Sequence, residues 1–159
     1  MRINALFLLL MSSVVHADVP SKSDAVIFLS DAELRRAIET APEEIPGQSG
    51  LYALRLSPPS EHPVIGIGRT APRKSELHAE FTDVWYVIDG AATLVTGGTI
   101  ESGAETAPGE VRGSGIKGGS SRRVQKGDYA VIRAGTPHWI SNVEGKEILY
   151  IVVKVPVQK

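Results

Sequence analysis

Two short segments of the chain hold the residues best suited to bind a metal ion. Glu76 and His78 lie two positions apart and are followed by Asp83, and His138 comes after the turn Gly135-Thr136-Pro137. Residues two apart in a strand point to the same face of a sheet, so Glu76 and His78 share one side. A barrel that brings the three strands together would gather four potential ligands in its interior, a usual place for a small-molecule site.

The rest of the sequence contains no competing catalytic motif. The run Gly66-Ile67-Gly68 lacks the third glycine and the following helix of a dinucleotide fingerprint. Cysteine is absent, which removes a thiol nucleophile and, for an exported protein, any disulfide framework. The 17 basic and 18 acidic residues are interspersed, so neither nucleic acid nor a membrane surface is expected as a partner.

Short apolar segments separated by glycine and proline follow Gly50 and predict an all-β barrel or sandwich. The predicted strands span residues 51–56, 64–67, 76–81, 84–88, 91–96, 129–132, 138–141 and 148–155. The stretch 148–153 is apolar on both faces of its pleat, which indicates that the outer face is covered by the N-terminal helix or by a second subunit. A homodimer is therefore expected.

One segment predicts a helix, from Asp31 to about Ala41, and Pro42 ends its pattern. Ser30 is placed to cap it, and Glu33 occupies the capping-box position. Its narrow apolar stripe predicts packing against the outside of a sheet.

The segment from Gly97 to Ser121 is rich in Gly, Ser, Thr, Ala and Glu, with little strand pattern beyond 113–116. A connection of this length inside a small domain is usually a functional lid or a mobile excursion. Both remain open from the sequence.

The N-terminus has the pattern of a secretory signal peptide, with Arg2, an almost unbroken apolar run over residues 3–15 and a small-residue cleavage site after Ala17. The run is shorter than the ~20 residues of a membrane span, which leaves an uncleaved anchor as the lesser alternative. We expect cleavage after Ala17, a periplasmic or secreted protein, an N-terminal extension over 18–49 and one barrel domain over 50–159.

The spacing of the first segment resembles the first motif of the cupin superfamily. That motif has two histidines separated by one residue, a carboxylate five residues after the second histidine and a glycine seven further on. Glu76, His78, Asp83 and Gly90 occupy these positions.

The second segment resembles the second cupin motif. Gly127, Gly135, His138 and Asn142 match it, and Arg133 stands where proline is usual. The resemblance covers roughly residues 76–155, and more loosely everything after Gly50.

This resemblance implies an all-β, single-domain cupin-type double-stranded β-helix, or jelly-roll barrel, with one short N-terminal helix. It also implies one divalent transition metal per chain, held by His78, His138, Glu76 and Asp83. Glu76 replaces a histidine and Asp83 replaces the longer glutamate, so the set is harder and more negative than is usual for cupins. If Asp83 does not reach the metal, Glu80 is the alternative ligand.

Imidazole and carboxylate ligands suit Fe, Mn, Ni, Co or Zn. Soft copper(I) is disfavoured because cysteine is absent and Met1 and Met11 both precede the predicted cleavage site. Five further residues are candidates for the pocket or its surroundings: Glu80, Trp85, Tyr129, Trp139 and Asn142. His62 lies beside a proline in a polar stretch and is expected at the surface.

Three functions are compatible with these expectations. One is an exported metal-dependent enzyme of the dioxygenase, isomerase or lyase type, acting on a small oxygen-rich organic molecule. The alternative is a non-catalytic barrel of the cell envelope that binds a small ligand or a metal. A third, weaker one is a structural dimer with a vestigial pocket. No motif in the sequence identifies the substrate or the catalytic residues.

Overall fold

The computed structural model describes residues 26–44, 50–59 and 61–158, and these contain one α-helix and eleven β-strands. The predicted signal peptide lies outside the described residues. The helix is α1 (Asp31–Glu39). The strands are β1 (Leu51–Arg55), β2 (Val64–Arg69), β3 (Ser75–His78), β4 (Phe81–Thr96), β5 (Thr99–Glu101), β6 (Ala104–Ala107), β7 (Glu110–Gly113), β8 (Gly115–Lys117), β9 (Ser120–Gln125), β10 (Tyr129–Ile132) and β11 (His138–Pro156).

The two longest strands, β4 and β11, pair antiparallel along most of their length and connect the other strands of the main sheet. Strand order runs β1-β2-β11-β3-β7-β6, with β9 and β10 on β4, while β5 and β8 form a separate two-stranded sheet. Three register shifts occur between β4 and β11, and such irregularities bend strands and increase twist. The sheet thereby curls, as expected for an all-β barrel.

Gly90 explains why β4 was predicted as two strands. Its φ of 74° lies in the left-handed region that favours glycine, and a Cβ there would overlap the carbonyl group of Glu147. In the sequence, a glycine at this position predicts a turn between two strands. In the structure, β4 continues through it as one strand.

The barrel interior holds one main apolar cluster, drawn from alternate residues of several strands. Its buried members are Trp85, Val87, Ala92, Leu94, Val124, Ile132, Ile140, Ile148, Tyr150 and Val152. The metal-ligating candidates continue these inward rows, because Asp83 precedes Trp85 by two residues and His138 precedes Ile140 by two.

Helix α1 begins as predicted, since Ser30 and Glu33 form the capping box. It covers the outer face of β1 and β2. Ile38 is fully buried and packs over Gly66, where an added Cβ would lie 2.6 Å from Ile38 Cγ1. No helix in the described part of the chain is both long and apolar enough to cross a membrane.

The expectation of a long connection with little strand structure between Gly97 and Ser121 is wrong. The segment contains β5 to β8 and the start of β9, and β7 pairs in register with β3. Short polar strands rich in Gly, Ser and Thr carry little hydrophobic alternation, so their pairing was not visible in the sequence.

Candidate metal centre

The candidate ligands occupy neighbouring positions in the sheet. In one row across β11, β3 and β7, His138 lies opposite Glu76, and Glu76 lies opposite Arg112. Two residues further along β3, on the same face of the sheet, His78 lies opposite Glu110. Directly opposed residues of antiparallel strands have Cβ atoms ~4.5–5.5 Å apart, so these side chains meet on one face.

The turn before β11 is fixed to β3, which sets the position of His138. The backbone N–H of Gly135 donates to the carbonyl oxygen of His78 at 2.8 Å, and Gly135 has a φ of 74°. The turn therefore delivers His138 beside His78, with their ring centroids 5.2 Å apart.

Both imidazoles present an unpartnered nitrogen to the carboxylates. Nε2 of His78 and Nε2 of His138 are buried and have no hydrogen-bond partner among residues 26–44, 50–59 and 61–158. Oε2 of Glu76 lies 3.4 Å from the first and 3.8 Å from the second. Oδ2 of Asp83 lies 3.6 Å and 3.8 Å from the same two atoms.

The other ring nitrogen of each histidine, Nδ1, lies within hydrogen-bond distance of an oxygen acceptor. Nδ1 of His78 lies 2.6 Å from Oε2 of Glu110, and Nδ1 of His138 lies 3.1 Å from the carbonyl oxygen of Thr136. Each acceptor favours the tautomer with the proton on Nδ1 and leaves the Nε2 lone pair free. This carboxylate or carbonyl support is the usual outer arrangement of metal-binding histidines.

Burial favours the forms that a metal requires. Desolvation lowers the pKa of His138 below its usual value, which keeps its imidazole neutral at pH 7. Burial alone would raise the pKa of Glu76, but His78, Arg69 and Arg112 outweigh it and hold that pKa well below its usual range. The centre thus contains a neutral imidazole at His138 and an ionised carboxylate at Glu76.

The distances fit a metal site better than an internal hydrogen-bond network. Hydrogen bonds between nitrogen and oxygen are typically ~2.7–3.2 Å long, shorter than all four carboxylate–imidazole separations given above. Ligands that sit ~2.0–2.2 Å from one ion are themselves roughly 3–4 Å apart. Glu76, His78 and His138 can all offer ligand atoms within 4.8 Å of one another.

Asp83 has a second partner that bears on its role. Its Oδ1 accepts from Lys154 Nζ at 2.9 Å, and both side chains are largely buried. Lys154 is the register neighbour of Asp83 on β11. The ammonium group offsets the charge of Asp83 and fixes the direction of its carboxylate, with Oδ2 left towards the histidines.

A cavity of about 100 Å³ adjoins the centre. Glu76, His78 and Asp83 line it, together with Trp85 and Arg69. Its other lining residues are Glu44, Leu51, Ala53, Ile65, Ile67, Arg112, Tyr150, Val152 and Lys154.

Tyr150 anchors one wall of this cavity. Its Oη accepts from Nε of Arg69 at 2.7 Å, and its ring stacks on Trp85 with centroids 4.7 Å apart. Burial raises the pKa of Tyr150 to about 12, so the phenol stays protonated at neutral pH.

The residues predicted to surround the pocket fall into two groups. Trp85 lines the cavity and meets His138 edge-on at 5.8 Å between centroids. The other four do not line it: Glu80, Tyr129 and Asn142 are exposed, and Trp139 donates from Nε1 to the carbonyl oxygen of Arg73.

Sequence reasoning missed Glu110, Arg112, Arg69, Lys154 and Tyr150. A weak signal existed for three of them, since Arg69 follows Ile65 and Ile67 at strand alternation, and the charged Glu110 and Arg112 flank Val111 at the same period. A charged residue in an apolar inward row is unusual enough to indicate a site.

The chain matches no family model and no curated protein by sequence, but its fold is similar to that of solved structures. One is a protein with a double-stranded β-helix domain from Klebsiella pneumoniae, with 17% identity, coverage of 86% of this chain and 89% of that chain, and a TM-score of 0.56.

Two further similarities are more distant. A predicted oxalate decarboxylase from Thermotoga maritima has 10% identity, 73% and 90% coverage and a TM-score of 0.51. A vicilin from Solanum melongena, described with different anionic ligands in its pockets, has 15% identity, 75% and 31% coverage and a TM-score of 0.52. Together with the curled sheet and its inward-facing centre, these similarities show that the chain has the cupin-type double-stranded β-helix fold.

Proposed function

We propose that this protein is a metal-dependent enzyme acting on a small oxygen-rich organic molecule. The observation that carries the proposal is the pair of buried, unpartnered Nε2 atoms of His78 and His138, facing the carboxylates of Glu76 and Asp83. Unpaired buried polar atoms are rare and need an explanation. A divalent transition ion, Fe, Mn, Ni, Co or Zn, would satisfy both.

His78, His138 and Glu76 would hold the ion, with Asp83 as a fourth ligand or as a general base. Such an ion supplies Lewis-acid polarisation, activation of bound water or, as Fe(II), oxygen chemistry. Trp85 and Val152 add apolar surface to the wall of the cavity. Asp83 can accept a proton through Oδ2 while Lys154 keeps its Oδ1 fixed.

The test is metal analysis of the chain purified without chelator and after loading with each candidate ion. The His78→Ala/His138→Ala double variant should lose an ion that the parent binds at about one per chain. The His62→Ala variant is the matched control, because His62 is exposed. Retention of the ion by the double variant, or absence of any ion from the parent, would exclude this metal centre.

An Asp83→Asn variant separates the two roles of that residue. If Asp83 is a base, the variant keeps its metal and loses turnover in a substrate screen with the loaded protein. If Asp83 is a ligand, metal affinity falls as well. Metal binding without turnover on any small oxygen-rich substrate would favour the non-catalytic binding barrel.

We further propose that the protein is exported and acts in the periplasm or outside the cell, on the strength of the N-terminal pattern ending at Ala17. N-terminal sequencing of the protein recovered from cell fractions tests this. A homodimer is also proposed, supported by the exposed apolar residues Tyr86, Tyr129 and Val131 on the outer face of β4 and β10.

A further inference from the structure

The wall of the cavity beside the candidate metal ligands contains buried N–H groups that make no hydrogen bond to any of the described residues. Nη1 of Arg69, Nη1 of Arg112 and Nε1 of Trp85 are buried and make no hydrogen bond within the described part of the chain, and all three residues line the cavity. Buried donors of this kind are normally paired with protein or with an ordered molecule. The cavity is where such an acceptor can reach them.

The two arginines are fixed in place by their other contacts. Arg69 is only 4% exposed. It donates a hydrogen bond from Nε to Tyr150 and another from Nη2 to Glu76 at 3.3 Å. Arg112 lies 3.5 Å from Glu76 through Nη1 and 3.6 Å from Glu110 through Nη2. Glu76 therefore contacts both guanidinium groups, and both arginines line the same cavity.

Charge balance indicates the sign of the missing acceptor. The lining contains three cations, Arg69, Arg112 and Lys154, against three carboxylates, Glu44, Glu76 and Asp83. A divalent ion at the histidines would leave the cavity with two positive charges, and the nearby Glu110 would offset one of them. A buried net charge is costly unless it is paired, so the bound molecule should be an anion.

The volume limits the size of that anion. A water-sized group needs at least ~10–15 Å³ of such space, so the cavity of about 100 Å³ holds at most roughly seven to ten of them. This corresponds to an acid of about two to four carbons rather than a sugar chain. Planar guanidinium groups suit a carboxylate because they can donate two parallel hydrogen bonds.

We propose that Arg69 and Arg112, with the indole N–H of Trp85, form a carboxylate subsite, and that the substrate class is small carboxylic acids. The subsite rests on the proposed function in two respects, since the metal would supply the positive charge that favours an anion and would bind another oxygen of the same acid. The arginines orient the substrate carboxylate, so they are binding and positioning groups.

Calorimetric titration of the metal-loaded chain with malonate and with its neutral analogue malonamide tests this subsite. Acetate, oxalate and succinate extend the series. We expect at least one carboxylate to bind tenfold or more tightly than its amide. Arg69→Gln and Arg112→Gln should each reduce that preference tenfold or more, whereas Arg123→Gln should not, because Arg123 is about half exposed and pairs with Glu144 at the surface.

The outcomes separate the subsite from the metal centre. The subsite is supported if the parent binds carboxylates more tightly than amides and the arginine variants lose this preference. The comparison is made with the metal-loaded chain or, if no metal binds, with the metal-free chain. Equal binding of acid and amide, binding of neither, or a preference unchanged in both variants overturns it, whatever the metal content. Arg112→Gln carries the test if Arg69→Gln fails to fold, since Arg112 is partly exposed.

Discussion

At the scale of single residues, His138 couples the acid stability of the metal-free protein to the candidate centre. Its pKa is lowered from 6.5 by burial, so the unfolded chain takes up a proton more readily than the folded one. Stability therefore falls as the pH drops through about 6.5. We expect the free energy of unfolding to decrease between pH 7 and pH 5 by up to about 1.4 kcal/mol per pH unit for this group.

Urea denaturation of chelator-treated protein across that interval measures the slope. The His138→Gln variant should give a flatter profile, because the titrating group is gone. Glu76 contributes to the pH dependence of stability only at lower pH, because its pKa is 4.5 in the unfolded chain and well below that in the folded protein. Equal slopes for the parent and the variant would contradict the assignment to His138.

Glu110 should tune metal affinity without touching the ion. It accepts from Nδ1 of His78 at 2.6 Å and so sets the tautomer and direction of that ring. Loss of such a partner typically weakens metal binding by about 10–100-fold. We expect Glu110→Leu to show a loss of this size in a competition titration with a chelator, and Glu110→Gln a smaller one because its amide oxygen still accepts.

The control for this change is Glu144→Leu, which removes a carboxylate that pairs with Arg123 at the surface. Its metal affinity should match that of the parent. An equal loss in Glu110→Leu and Glu144→Leu would mean that Glu110 acts through overall charge or stability rather than through His78.

At the scale of elements, the sequence predicted those parts of the fold and of the candidate site that depend on local rules. Strand alternation placed Glu76 and His78 on one face, and the capping pattern located the start of α1. The contact between His78 and Glu110, separated by 32 residues, depends on the pairing of β3 with β7. Pairing partners of short polar strands are set by the whole sheet, so Glu110 and Arg112 remained hidden.

The packing of α1 on β2 provides a test of the helix position. A Cβ at Gly66 would lie within 3 Å of two Ile38 side-chain atoms, so Gly66→Ala should force the helix outward and cost about 1–3 kcal/mol. Ile38→Ala empties a fully buried position and should cost about 2–5 kcal/mol. Because each change relieves part of the defect of the other, the double variant should be more stable than the sum predicts.

Urea denaturation of the parent, the two single variants and the double variant completes this cycle. Additive costs would mean that α1 does not pack on β2 at Gly66. Gly66 is not among the glycines with a left-handed φ, so its replacement by alanine tests the contact with Ile38 rather than backbone strain.

At the scale of the whole molecule, α1 covers only one side of the curled sheet. The outer face of β4 and β10 exposes Tyr86, Tyr129 and Val131 at 52%, 76% and 54%. Tyr86 and Tyr129 are direct cross-strand neighbours, so their rings form one patch. Among the described strands β10 pairs only with β4, which leaves its other edge open beside the patch.

A contiguous exposed apolar patch commonly marks an association surface. If this patch contacts the same patch of a second subunit across a two-fold axis, the proposed homodimer has one isologous interface. Sedimentation equilibrium should therefore report a dimer for the parent. Tyr129→Lys/Val131→Lys should shift it to monomer, because it places like charges at the centre of the interface, and should weaken association at least a hundredfold. The exposed pair Ala104→Lys/Thr106→Lys on β6 adds the same charge elsewhere and should leave the dimer intact. A monomeric parent, or a dimer that survives the first pair of substitutions, would assign this patch another role.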